Sequence, residues 1–153
     1  MKPSIHAVLD VLMERIRDDA LPALPDGYAS KQLQLGLQLL QSVADGLDDA
    51  AAWRVAEIRS LRGIFASALP GVLDNPTLAA ALVQAVGVPE FPTPNSFTMT
   101  ALDGQLDTLR ALLVSLHTWS EISPQTLAST VNQSIWKELR QSTERRKLSV
   151  ARF

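Results

Sequence analysis

Leu102, Leu106, Leu109, Leu113 and Leu116 recur at steps of four and three. That spacing lays five apolar side chains along one face of a single helix, so the segment can satisfy itself only by packing that face against other elements. Similar stripes run through most of the chain. Ile5, Val8, Leu9, Leu12 and Ile16 mark a first helix over about Pro3 to Ala20, which Leu21-Pro22-Ala23-Leu24-Pro25-Asp26-Gly27 stops. A second helix is expected over about Ala29 to Ala44. Its stretch Gln32 to Leu39 alternates like a strand, but Leu33, Leu37, Leu40, Ala44 and Leu47 fit the helical period, and Leu and Gln are better helix formers than strand formers. The extra Leu35 and Leu39 widen the apolar face and predict a central helix with neighbours on two sides.

A third helix, begun by a cap at Asp48 or Asp49, is predicted to reach Leu69 with Val55, Ile58, Phe65 and Leu69 inward. Asn75-Pro76 opens a short fourth helix that ends at Gly87. Val88-Pro89-Glu90-Phe91-Pro92-Thr93-Pro94-Asn95 holds three prolines in eight residues and is the best candidate for an internal boundary. The piece beyond it would be marginal alone, so the expectation is a loop near residues 88–97 strapped across one bundle. The leucine ladder forms the fifth helix, about Thr98 to Ser120, and Ser123-Pro124 caps and opens a sixth through Leu127, Val131, Ile135 and Leu139. The fold expected is all-α: a single domain over 1–153, an antiparallel bundle of five or six helices with short connections.

A chain of 153 residues is long enough for a self-sufficient core, and 46% hydrophobic against 20% charged residues is ordinary for a globular protein. The absence of cysteine excludes disulfides, thiolate catalysis and cysteine-held zinc, and fits a reducing, cytoplasmic setting. No apolar run is long enough for a membrane span, and Asp10 and Glu14 interrupt what would be a signal peptide. The net charge of −2 is uneven. Residues 137–153 carry six basic groups against Glu138 and Glu144, a local +4 on a body of −6. The tail over 145–153 is expected to be basic and mobile, its cations favourably placed at a helix C-terminus.

Chemistry-bearing constellations are sparse. His6 and His117 each have a carboxylate four residues on, Asp10 and Glu121, but a di-metal bundle needs Glu-x-x-His units and none occurs, so no metal site is assigned. No nucleophile elbow or phosphate loop is present, and no catalytic residue or cofactor is assigned. Arg62 falls among Val55, Ile58 and Leu69 on the inward stripe, with Arg59 nearby. A buried guanidinium must find either a carboxylate on a neighbouring helix or an anionic ligand, and the pair is named as a candidate ligand site. Trp53 and Ile64 lie away from the main stripe of the third helix, and Trp136 lies at the edge of the sixth beside Arg140. These four are named as candidate interface residues, because Trp and Arg supply much of the energy at protein interfaces; the alternative is that a six-helix bundle packs some helices on two sides and buries such positions. Gln125, Ser129, Asn132, Gln133, Lys137, Arg140 and Gln141 could read bases, but the preceding turn is not of helix-turn-helix form and the domain is not basic, so nucleic acid is a minor reading.

Residues 17–47, beginning Arg17-Asp18-Asp19-Ala20-Leu21-Pro22-Ala23-Leu24-Pro25-Asp26-Gly27-Tyr28, and Ala56-Glu57-Ile58-Arg59-Ser60-Leu61-Arg62-Gly63 resemble a small bacterial family of uncharacterised all-helical proteins. Members of that family are encoded beside aminoglycoside-phosphotransferase-like kinases and acyl-CoA dehydrogenases. The resemblance implies an accessory role near such enzymes and carries no catalytic residues with it. The functional expectation is a non-enzymatic interaction or accessory protein, self-associating or docked on a partner enzyme. The alternative is a carrier or sensor of a small amphipathic anionic ligand such as an acyl chain, held by the wide leucine face and Arg62.

Overall fold

The computed structural model describes residues 4–47 and 49–147. The cap expected at Asp48, the first-turn role of Pro3 and the end of the basic tail lie outside the described residues. Six α-helices hold most of them, and no strand occurs among them: α1 (Ile5–Arg15), α2 (Tyr28–Leu47), α3 (Ala50–Ala68), α4 (Pro76–Gly87), α5 (Met99–Ile122) and α6 (Thr126–Arg145). The fold is all-α, and the alternating Gln32–Leu39 stretch is helix.

Side-chain caps explain several of the boundaries. Ser4 accepts from the Ala7 backbone N–H at 3.1 Å and starts α1. Gly27 and Ser30 bond reciprocally, N–H to Oγ at 3.2 Å and Oγ to carbonyl at 3.0 Å, at the start of α2. Asn75 accepts from Leu78 N–H at 3.1 Å, with Pro76 in the first turn of α4, as its sequence predicts. Thr98 caps α5 in the same way. Two expectations shift. The first helix loosens after Arg15 into a single π-type turn, Ile16–Ala20, closed by Leu21 N–H on the Ile16 carbonyl. Ser123 does not cap the sixth helix. Its backbone N–H instead closes α5 on the Trp119 carbonyl, Pro124 holds it extended, and α6 begins at Thr126.

The chain divides into two compact units, the second of which is Ala51–Arg146. The proline-rich stretch lies inside the second unit. The N-terminal unit is a hairpin of α1 and α2, in which Met13, Leu37 and Ala44 are buried with Leu9, Ile16 and Leu40 packed beside them. The second unit, Ala51–Arg146, holds a larger core. All five ladder leucines are buried there, together with Ile58, Leu61, Phe65, Leu82, Val131 and Ile135. The Pro70-Gly71 break after α3 is part of that packing. A Cβ on Gly71 would come within 2.7 Å of a Leu127 methyl and 3.1 Å of the Trp119 ring.

Candidate functional site

Arg62 sits on α3 where the stripe analysis places it, but its partners are neither of the expected kinds. Its Nη2 donates to the Val86 carbonyl at 2.9 Å and the Val88 carbonyl at 2.6 Å, at the C-terminal end of α4. Those carbonyls have no intrahelical partner and carry the negative end of the helix dipole, so a guanidinium is a suitable cap. Among the described residues no carboxylate pairs with Arg62. Arg59, one turn earlier, pairs with Glu90 at 2.7 Å and lies over the Phe91 ring at 5.9 Å. Gln105 donates to the Glu90 carbonyl at 3.3 Å, and Phe91 packs on Phe97 with centroids 4.6 Å apart. Arg59, Arg62 and Gln105 thus hold the proline-rich segment down on α3 and α5.

The four interface candidates separate. Ile64 is in the core at 7% exposure, which overturns its reading as a surface residue: α3 is packed on more than one side, so an off-stripe position is still an inside position. Trp53 also packs against the core, and the guanidiniums of Arg54 and Arg146 lie over its ring at 4.1 and 5.2 Å. Arg54 is itself fixed by a two-point pair to Asp103, at 2.6 and 3.2 Å. This pairing holds the Asp103 carboxyl below its ordinary value. Trp136 and Arg140, one turn apart on α6, are exposed. Trp136 meets His117 edge to face, with centroids 5.6 Å apart. His117 lies 3.5 Å from Glu121, a long contact.

Two residues absent from the sequence-level candidates form the most polar part of the interior. Glu57 of α3 and Glu138 of α6 are 3% and 2% exposed. Glu57 accepts from Arg110 at 2.8 and 2.9 Å, from Arg146 at 2.7 Å on both oxygens, and from Ser142 Oγ at 3.0 Å. Burial on its own would raise the Glu57 carboxyl, but the bonds from Arg146, Arg110 and Ser142 outweigh it and hold the group below its ordinary value. Glu138 accepts from Ser60 and Arg145. Each buried carboxylate is therefore satisfied, and α3, α5 and α6 are cross-linked through charge-assisted bonds. The expectation of a mobile tail from residue 145 is corrected at its root: Arg145 and Arg146 are held because two buried acids require cations. The clue in the sequence was periodic. Glu138 stands in the row Val131, Ile135, Glu138, Ser142, where the spacing calls for an apolar residue.

The described residues contain no cluster of three or more acid, histidine or cysteine side chains able to hold a metal ion, and no helix long and apolar enough to cross a membrane. The Ser-x-x-Lys spacing at Ser134 and Lys137 is not a nucleophile pair. Ser134 donates to the Thr130 carbonyl of its own helix at 3.0 Å, and Lys137 faces solvent. Comparison of the chain with protein-family models, with characterised proteins and with solved structures gives no match.

The N-terminal hairpin presents exposed apolar rows on both helices: Ile5, Val8 and Leu12 of α1, expected as part of its inward stripe, are 71%, 51% and 46% exposed, because α2 covers only the side of α1 that carries Leu9, Met13 and Ile16. Leu37, Leu40 and Ala44 form the face of α2 turned to α1. On the opposite side of the same helix Leu35, Leu39 and Val43, at steps of four, are 46%, 61% and 56% exposed. Gly36 lies beside this outer row, and a Cβ placed there would meet nothing within 4 Å. The charge along residues 29–44 is a single Lys31.

Proposed function

We propose that the chain is a helical interaction protein that self-associates through the outer face of α2, as a non-enzymatic accessory component. The observation that carries this reading is the row Leu35, Leu39 and Val43, exposed on the side of α2 away from α1. Exposed contiguous apolar rows are costly in water and mark association surfaces. A hairpin with three buried apolar side chains among the described residues is also too thin a core to hold two helices by itself. The chemistry of the face favours a second copy as its occupant. It is apolar, flanked by glutamine and serine and nearly free of charge, so a two-fold axis would bring no like charges together. Gly36 costs about 1 kcal/mol relative to alanine in a helix, and its open hole offers a seat for a facing leucine. Two hairpins joined this way make a four-helix arrangement. Trp136 and Arg140 on α6 remain free for a further partner, consistent with an accessory role beside another enzyme. A cytoplasmic setting fits the lack of cysteine.

Sedimentation equilibrium tests the reading. The wild-type chain is expected at about twice its 16.6 kDa mass at tens of micromolar, dissociating on dilution. Leu39→Lys, which sets two cations face to face across the axis, is expected to run as a monomer with an unchanged helical circular dichroism spectrum. A wild-type monomer at millimolar concentration, or a Leu39→Lys dimer as tight as the wild type, contradicts it.

A further inference from the structure

The face of the second unit between α3, α4 and α5 holds a groove of about 370 Å³. Ala81, Ala85, Val88, Leu109 and Leu112 form its apolar wall, and Arg62 is the charged group on it. Gln84, Gln105 and Thr108 add neutral polar atoms. No acid lines the groove, and the nearby Glu90 is occupied by Arg59. Arg62 spends one nitrogen on the Val86 and Val88 carbonyls. Those bonds fix the guanidinium plane without neutralising its charge, and they leave the Nε and Nη1 hydrogens without a protein acceptor among the described residues. A half-buried cation fixed by carbonyls, unpaired with any carboxylate and set at an apolar trough, is complementary to an anion carrying a hydrocarbon tail.

We propose that this groove binds a small amphipathic monoanion, its carboxylate on Arg62 and its aliphatic chain along Ala81, Ala85, Leu109 and Leu112. The volume lies near the lower end for small-molecule sites, so the tail is of medium length and unbranched. The alanines at 81 and 85 matter as much as the cation. They stand one turn apart on α4 and keep the trough open where larger side chains would fill it. The site uses none of the residues of the α2 stripe, and the proposal stands whether or not the chain self-associates.

The test is a calorimetric titration with decanoate, decanol and decylamine at pH 7.5, made in the Leu39→Lys background so that the α2 stripe does not act as a second sink. Decanoate is expected to bind with one site per chain and at least tenfold more tightly than decanol, and decylamine not at all. Arg62→Gln is expected to reduce the preference for decanoate over decanol to near unity. Because Arg62 also caps α4, a second variant leaves the cation in place and fills the trough: Ala85→Phe is expected to abolish decanoate binding at unchanged helicity. Equal binding of decanoate and decanol, tight decanoate binding in Ala85→Phe, or no decanoate binding at millimolar concentration overturns the proposal.

Discussion

The hairpin of α1 and α2 and the unit formed by residues 51–146 are both built of apolar helices, yet they bury them to very different degrees. In the larger unit seventeen buried side chains form one cluster, and a pair of buried glutamates is neutralised by three arginines. In the hairpin three apolar side chains are buried among the described residues, while Leu35, Leu39 and Val43 stand in water on the far side of α2. The contrast shows that amphipathic patterning specifies a helix but not what covers it. A helix apolar on two opposite sides requires two neighbours, and the hairpin supplies one. The larger unit closes on itself even to the point of burying charge, which is tolerable only because each carboxylate oxygen has a donor.

The comparison can be broken most forcefully at Phe65, fully buried in the larger core. Phe65→Ala is expected to cost about 3–5 kcal/mol in urea unfolding, and this cost should be independent of protein concentration. Leu37→Ala in the hairpin should cost less and should weaken association as well. Equal, concentration-independent losses at both sites would erase the distinction between the units. Glu57→Gln comes next, at about 2 kcal/mol, because it removes the negative charge that Arg110 and Arg146 face and replaces one acceptor oxygen by an NH2 donor beside them, although both guanidiniums can still reach water.

The same carboxyl predicts a pH dependence. Its value in the folded chain is depressed, so its stabilising contribution is complete above the ordinary carboxylate value and is lost as pH falls through the lower folded value. Melts between pH 7 and pH 3 should show the wild-type and Glu57→Gln curves converging on the acid side. Parallel curves would mean that the cluster is not held together by charge. Gly71→Val, which drives a side chain into Leu127 and Trp119, is expected to cost about 1–3 kcal/mol. Leu39→Lys marks the small end: in the monomer its unfolding free energy should change by no more than about 0.5 kcal/mol, since the residue already faces water.

Much of this fold was legible because a ladder such as Leu102 to Leu116 fixes both helix and inward face. The wide α2 face predicts a central helix, with neighbours on two sides; the structure packs it on α1 and leaves Leu35 and Leu39 exposed, because an apolar face does not itself say what covers it. Position on α3 was not legible either. A helix packed on several sides has no single stripe, so spacing leaves an off-stripe residue open between a partner surface and a second packed side; Ile64 is inside, and Trp53 lies under Arg54 and Arg146. Spacing places Arg62 on the inward side of α3, but its capping of α4 through two carbonyls depends on a chain reversal that spacing does not encode. Glu57 and Glu138 were missed because a charged residue in an apolar row reads as an interruption. Only the folded chain shows that Arg110, Arg145 and Arg146 converge on them.

The central claim is that a second copy covers the outer face of α2, and the cysteine-free sequence permits a direct measurement. A single Leu39→Cys substitution, oxidised under mild conditions at tens of micromolar, is expected to give a disulfide-linked dimer in high yield, while Thr118→Cys on the exposed side of α5 gives little. A Leu39→Cys chain that stays monomeric on oxidation, or that cross-links no better than Thr118→Cys, would contradict the account.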